Sequence, residues 1–137
     1  GELAAVKGTP FDFSQAKTIG RDIEQKDEQL RYGGGYDHNF VLRGDKVDQL
    51  NHAATLIGDK TGIKMDIYTE EPGLQFYSGN FMADKVTLKN GKKDSFRTGL
   101  CLETQHFPDA PNQESFASTV LEPGQTYTTK SIYKFSL

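Results

Sequence analysis

Cysteine is nearly missing from this 137-residue sequence. The lone thiol, Cys101, excludes an internal disulfide and any cysteine-rich zinc site. Read alone, it is expected to be a small buried apolar residue rather than a nucleophile. Long apolar runs are missing too. Nothing approaches the ~18 consecutive residues that a membrane-spanning helix needs, and no signal-peptide pattern opens the chain. In a piece of a longer protein that second absence leaves export open, so a cytoplasmic location is expected while a periplasmic or secreted one stays possible. Basic charge is not in excess either: 16 Lys and Arg face 19 Asp and Glu, a net charge of −3. Neither nucleic acid nor a membrane surface is therefore an expected partner.

What is present is the composition of a folded domain. The chain is 35% hydrophobic and 26% charged, which argues against wholesale disorder. Its length suits one domain at ~100–200 residues each. Strand signals dominate. In Gly62–Thr69, Ile63, Met65 and Ile67 alternate with Lys64, Asp66 and Tyr68, the period of two of a strand with one buried face. Asn39–Leu42, Lys85–Leu88, Gly99–Gln105, Thr119–Leu121 and Thr126–Phe135 also read as strands by their β-branched and aromatic content. Arg43-Gly44-Asp45, Gly58-Asp59, Asn90-Gly91 and Pro123-Gly124 punctuate them as turns, and Asn90-Gly91 signals a hairpin. Ile19, Ile23 and Leu30 form only a sparse stripe, enough for a short surface helix or a long polar loop. The predicted fold is all-β, an antiparallel β-sandwich of two packed sheets. Glu2–Val6 reads as already extended, as it would if the chain began inside a larger sandwich.

Three segments are dense in polar and aromatic residues: Gly35–Phe40, Glu71–Phe81 and Cys101–Asp109. Acids and amides beside rings suit a sugar, whose hydroxyls need directional partners and whose ring faces need flat surfaces. By spacing alone Asp37-His38 reads as a surface turn. His38, His52 and His106 are too scattered for a metal triad. In the strand Gly99–Gln105, alternation sends Leu100 and Leu102 to one face and Cys101, Glu103 and Gln105 to the other. Glu103 is then either paired in a structural bridge or poised for chemistry. Asp37 and Glu103 could also form the carboxylate pair of a glycosidase, a possibility that only their separation decides. No serine sits in a nucleophile-elbow context.

Taken in order, the stretches Gly8–Phe13, Gly35–Leu42, Pro72–Phe81 and Leu102–Gln113, followed by Pro123-Gly124 and Tyr133-Lys134-Phe135, resemble the galactose mutarotase (aldose 1-epimerase) family. The resemblance runs through almost the whole chain. It implies a large antiparallel β-sandwich with an open sugar cleft, and interconversion of the α and β anomers of free hexoses such as galactose or glucose. It further implies that Glu103 is the catalytic base, that Asp37 and Gln75 are substrate-binding, and that no cofactor or metal is needed. Opening a hemiacetal takes a base on the C1 hydroxyl and an acid on the ring oxygen together. The family's acid histidine, with another histidine and an arginine that grip the sugar, belongs to an N-terminal half that this chain lacks. None of His38, His52 and His106 matches the acid's motif, and His106 falls on the strand face opposite Glu103, as a cleft-rim or structural residue. The whole chain, 1–137, is thus expected to be the C-terminal part of a single aldose 1-epimerase domain. It would supply the base alone, and cover its exposed sheet surface with the missing half or by self-association. The alternative is a non-catalytic carbohydrate-binding β-sandwich module.

Overall fold

The computed structural model describes residues 1–44 and 46–137, so Asp45 of the expected Arg43-Gly44-Asp45 turn lies outside the described residues. Among the described residues seven strands and one short α-helix are formed: α1 (Glu28–Gly33), β1 (Asp37–Val41), β2 (Lys46–Val47), β3 (Leu50–Ile57), β4 (Lys64–Thr69), β5 (Gly73–Tyr77), β6 (Cys101–Gln105) and β7 (Ser131–Ser136). They make two sheets, of order β1-β5-β6 and β2-β3-β4-β7. The expected all-β class is observed. No helix among the described residues is long and apolar enough to cross a membrane.

By its internal contacts the chain divides into two compact units. One holds Gly1, Asn39–Gln75 and Glu103–Leu137; the other holds Glu2–His38 and Phe76–Leu102.

In the first unit, β3 and β4 form an antiparallel hairpin whose register shifts between His52 and Ala54. The connecting turn closes through Gly58 N–H to the Ile63 carbonyl and Gly62 N–H to the Gly58 carbonyl, both at 2.9 Å. β7 then adds antiparallel to the other edge of β4, with Lys64 opposite Ser136 and Thr69 opposite Ser131. The alternation read from Gly62–Thr69 holds at Ile67, which is fully buried. Asp66 on the other face is buried as well. Its carboxylate tolerates this because it accepts from Thr55 Oγ1 at 2.6 Å, lies 3.2 Å from His52 Nε2 and pairs with Lys64 Nζ at 2.8 Å. The Lys64 and Thr55 bonds, with those of His52 and the Lys64 charge, outweigh desolvation and lower its pKa from 3.8 to about 2.

The second unit is built on rings. Tyr36, fully buried, stacks on Phe76 with centroids 5.2 Å apart. Phe11 and Phe13 meet Tyr36 edge-on at 5.6 and 5.2 Å, the offset and T-shaped geometries that ring quadrupoles favour. The Tyr36 hydroxyl donates to the Pro10 carbonyl at 3.0 Å, and burial pushes its pKa up to about 12. Asn80 ties two loops, donating from Nδ2 to the Gly33 and Tyr36 carbonyls, each at 2.9 Å, while its Oδ1 accepts from Ser78 Oγ. The helix α1 starts at Asp27, whose carboxylate caps the Gln29 and Leu30 amides, and ends at Gly34 in the left-handed region. Only Ile23 and Leu30 of the sparse stripe are buried.

Several expected elements differ. Lys85–Leu88 and Thr119–Leu121 are not strands; Val86, Leu88, Val120 and Leu121 are exposed, with no sheet to bury them. Asn90-Gly91 does turn the chain, but through one bridge, Thr87 to Lys93, rather than a ladder. Glu2–Val6 is not in a strand, and the C-terminal strand begins at Ser131 rather than Thr126. β3 was not expected: its alanines and polar residues carry little strand preference, and its irregular register breaks the alternation.

Because Asp66 is held below its ordinary value, the stability it contributes is present above 3.8 and lost as pH falls toward about 2. Urea denaturation should therefore show Asp66→Asn less stable than the parent at neutral pH, with the gap closing over that window. A gap of constant size would reject the assignment.

Candidate functional site

β6 presents two different faces. Cys101 and Glu103 are exposed, while Leu102 and Thr104 are half-buried. Cys101 thus departs from the buried position expected of it, because alternation sets it beside Glu103 on the wetter face. Glu103 meets no hydrogen-bonding or ion-pairing side chain among the described residues. The structural-bridge alternative for it has no partner there.

Two residues further along the same face, Gln105 donates from Nε2 to Asn39 Oδ1 at 3.1 Å and to Gln75 Oε1 at 3.4 Å. Gln75, on β5, and Glu103, on β6, belong to the same unit, and Gln105 links their strands. Asp37 belongs to the other unit, where it opens β1, half-buried, two residues before Asn39. It is not the surface turn that spacing suggested. β1 and β5 run antiparallel here, bracketed by Leu42 N–H to the Pro72 carbonyl and Ser78 N–H to the Tyr36 carbonyl. Gly73 makes the approach of Asn39 to β5 possible: a Cβ there would stand 2.6 Å from Asn39 Oδ1 and 3.0 Å from Phe107 Cδ1. Sequence reasoning gave Asn39 and Gln105 no role, although alternation had already set Gln105 on the Glu103 face. The one signal that could have found them is alternation, since each lies two residues from a named candidate on its own strand.

Each histidine is engaged locally. His38 Nδ1 accepts the Asp37 amide at 3.0 Å, its ring meets Phe11 edge-on at 4.6 Å, and burial lowers its pKa. His52 sits with Asp66 and Thr55. His106 Nδ1 donates to Glu71 Oε2 at 2.7 Å. Glu71 is buried just before β5. Its other oxygen accepts from Tyr127 Oη and, at 2.6 Å, from Thr129 Oγ1. Desolvation pushes the Glu71 pKa up, but the Thr129, Tyr127 and His106 donors together outweigh it and hold the group below its ordinary value. The same bond to Glu71, helped by desolvation, raises Tyr127. Among the described residues no group of three or more His, Cys, Asp and Glu is placed to hold a metal ion.

A cavity of about 540 Å³ opens in the Glu2–His38 and Phe76–Leu102 unit, lined in part by Glu24, Asp27, Arg31 and Arg97. None of Asp37, Gln75 and Glu103 borders it, and its arginines are already committed, Arg97 to Glu24 and the Gly34 carbonyl and Arg31 to Glu28. We place no chemistry there.

Against known proteins, a family model described as aldose 1-epimerase matches residues 1–134. Galactose mutarotase of Homo sapiens is 39% identical over 141 residues, covering 100% of this chain and 38% of that protein. Aldose 1-epimerase of Escherichia coli (strain K12) is 36% identical over 135 residues, covering 97% of this chain and again 38% of the relative. The chain thus spans 38% of the length of these curated relatives. A crystal structure of the GalM/aldose epimerase homologue from C. elegans superposes with a TM-score of 0.78 at 25% identity, over 99% of this chain and 39% of that one.

The geometry around Gly73 predicts that Gly73→Ala is destabilising by about 1–3 kcal/mol, because the added methyl must displace Asn39 and Phe107. Urea denaturation measures this, and an unchanged midpoint would show that the strand yields freely.

Proposed function

The chain belongs to the aldose 1-epimerase family, and on that premise we propose that it supplies the base side of an aldose mutarotase acting on free hexoses such as galactose or glucose. The observation that carries this is Glu103: an exposed carboxylate, unpaired among the described residues, on a strand whose next residue on that face holds Gln75.

In the proposed reaction Glu103 takes the proton from the anomeric hydroxyl. As the C1–O5 bond breaks, the ring oxygen takes a proton from an acid, and the open-chain aldehyde results. Rotation about C1–C2 and reclosure give the other anomer, with no net gain or loss of protons or electrons. Both proton transfers must be concerted, which requires a positioned acid as well as a base. This chain is proposed to hold the base only, the acid histidine coming from sequence outside it. Asp37 is assigned to sugar hydroxyls by the Gly35–Leu42 motif, and Gln75 to the cleft by Pro72–Phe81. Residues 1–137 are read as the C-terminal part of a single epimerase domain.

The sheet edge supports that last assignment. β7 is terminal in the order β2-β3-β4-β7, and Ile132, Tyr133 and Phe135 on it are exposed. A strand terminal in its sheet that exposes apolar side chains favours association.

Two outcomes are expected. In polarimetry with fresh α-galactose or α-glucose, Glu103→Gln should slow the full protein by ~10²–10⁴-fold; equal rates would remove Glu103 from the base role. In sedimentation the chain alone should self-associate, or pair with the remainder of the protein when it is added. A well-folded monomer indifferent to that remainder would reject the partial-domain reading.

A further inference from the structure

Glu103 has no partner of its own among the described residues, yet a base is useful only when held to within a fraction of an ångström of its target. Something behind the strand must hold it. The rear face of β6 carries Thr104, and His106 follows the strand directly. Thr104 Oγ1 lies 2.8 Å from Ser131 Oγ on β7, and Ser131 Oγ lies 2.8 Å from Thr69 Oγ1 on β4. Thr69 Oγ1 accepts the Glu71 amide at 3.1 Å. The Glu71 carboxylate in turn accepts from His106. The bonds therefore close a ring that leaves β6 at Thr104 and returns at His106, one and three residues beyond Glu103. Its strongest point is the His106–Glu71 contact, a charge-assisted bond to a buried carboxylate whose other oxygen is fixed by Tyr127 and Thr129.

We propose that His106, acting through Glu71, is a positioning residue that fixes the β6 backbone beneath Glu103. This rests on the mutarotase reading of Glu103. His106 touches no substrate in this role. It transmits the rigidity of a fully hydrogen-bonded carboxylate to a strand whose working side chain is otherwise unrestrained. A histidine that served stability alone would lower melting temperature and leave turnover per folded molecule unchanged.

The test uses the full protein with galactose. His106→Phe keeps a flat ring but has no donor, whereas His106→Asn places an amide nitrogen where the imidazole Nδ1 stood. Rates are normalised to the folded fraction from thermal melts. The expected result is a fall in kcat of about tenfold for His106→Phe with KM held within about twofold, and recovery to within about threefold of the parent for His106→Asn. If His106→Phe does not fold, Tyr127→Phe, which removes another donor from the same carboxylate, must show the same kcat-only loss. Parental kcat in the donor-less variant, with Glu103→Gln strongly impaired, overturns the positioning role and leaves the base intact. Parental kcat in Glu103→Gln overturns the base, and the positioning role with it.

Discussion

A carboxylate cannot be taken out of water without full compensation, and Glu71 organises its unit around that requirement. Leaving such a group unpaired costs several kcal/mol, so its three donors cannot be placed independently. His106 must come from just beyond β6, and Tyr127 and Thr129 from the approach to β7. Asn51 adds a fourth tie from β3, donating to the Glu71 carbonyl at 3.0 Å. One buried residue, through its side chain and its carbonyl, thereby fixes where three separate stretches of chain lie with respect to the entrance of β5.

The Glu2–His38 and Phe76–Leu102 unit solves its packing differently. Its centre is a ring stack, Tyr36 on Phe76 with Phe11 and Phe13 at the edges. Its polar closure includes the amide of Asn80 and the Lys17–Asp22 pair. Large rings bury much area with few side-chain torsions to restrict, which suits a unit with little regular structure of its own.

How much of this the sequence disclosed depended on whether the signal was local. β4 was legible because Ile63 to Tyr68 alternate cleanly, and β6 because Cys101 to Gln105 do. β3 was not, since Asn51, Ala53 and Ala54 have no strand preference and are held there by β4. The buried Asp66 was misread as a wet-face residue because Thr55, which helps bury it, lies eleven positions away. Lys85–Leu88 and Thr119–Leu121 looked like strands by residue type, yet type does not supply a partner. Of the candidate site, Glu103, Gln75 and Asp37 emerged from motif resemblance. The bonds that join Asn39, Gln105 and Gln75 emerged only from coordinates, because hydrogen bonds 66 and 30 residues long leave no trace in a local window.

The ring around Glu71 also has a temporal meaning. Its bonds join residues 35, 56 and 58 positions apart, and such loops close late because their entropy must be lost before any bond is made. During synthesis the chain must emerge at least as far as Thr129 before the carboxylate can be satisfied. The nascent protein therefore passes through a stage in which β6 exists in sequence but its surroundings are not yet complete.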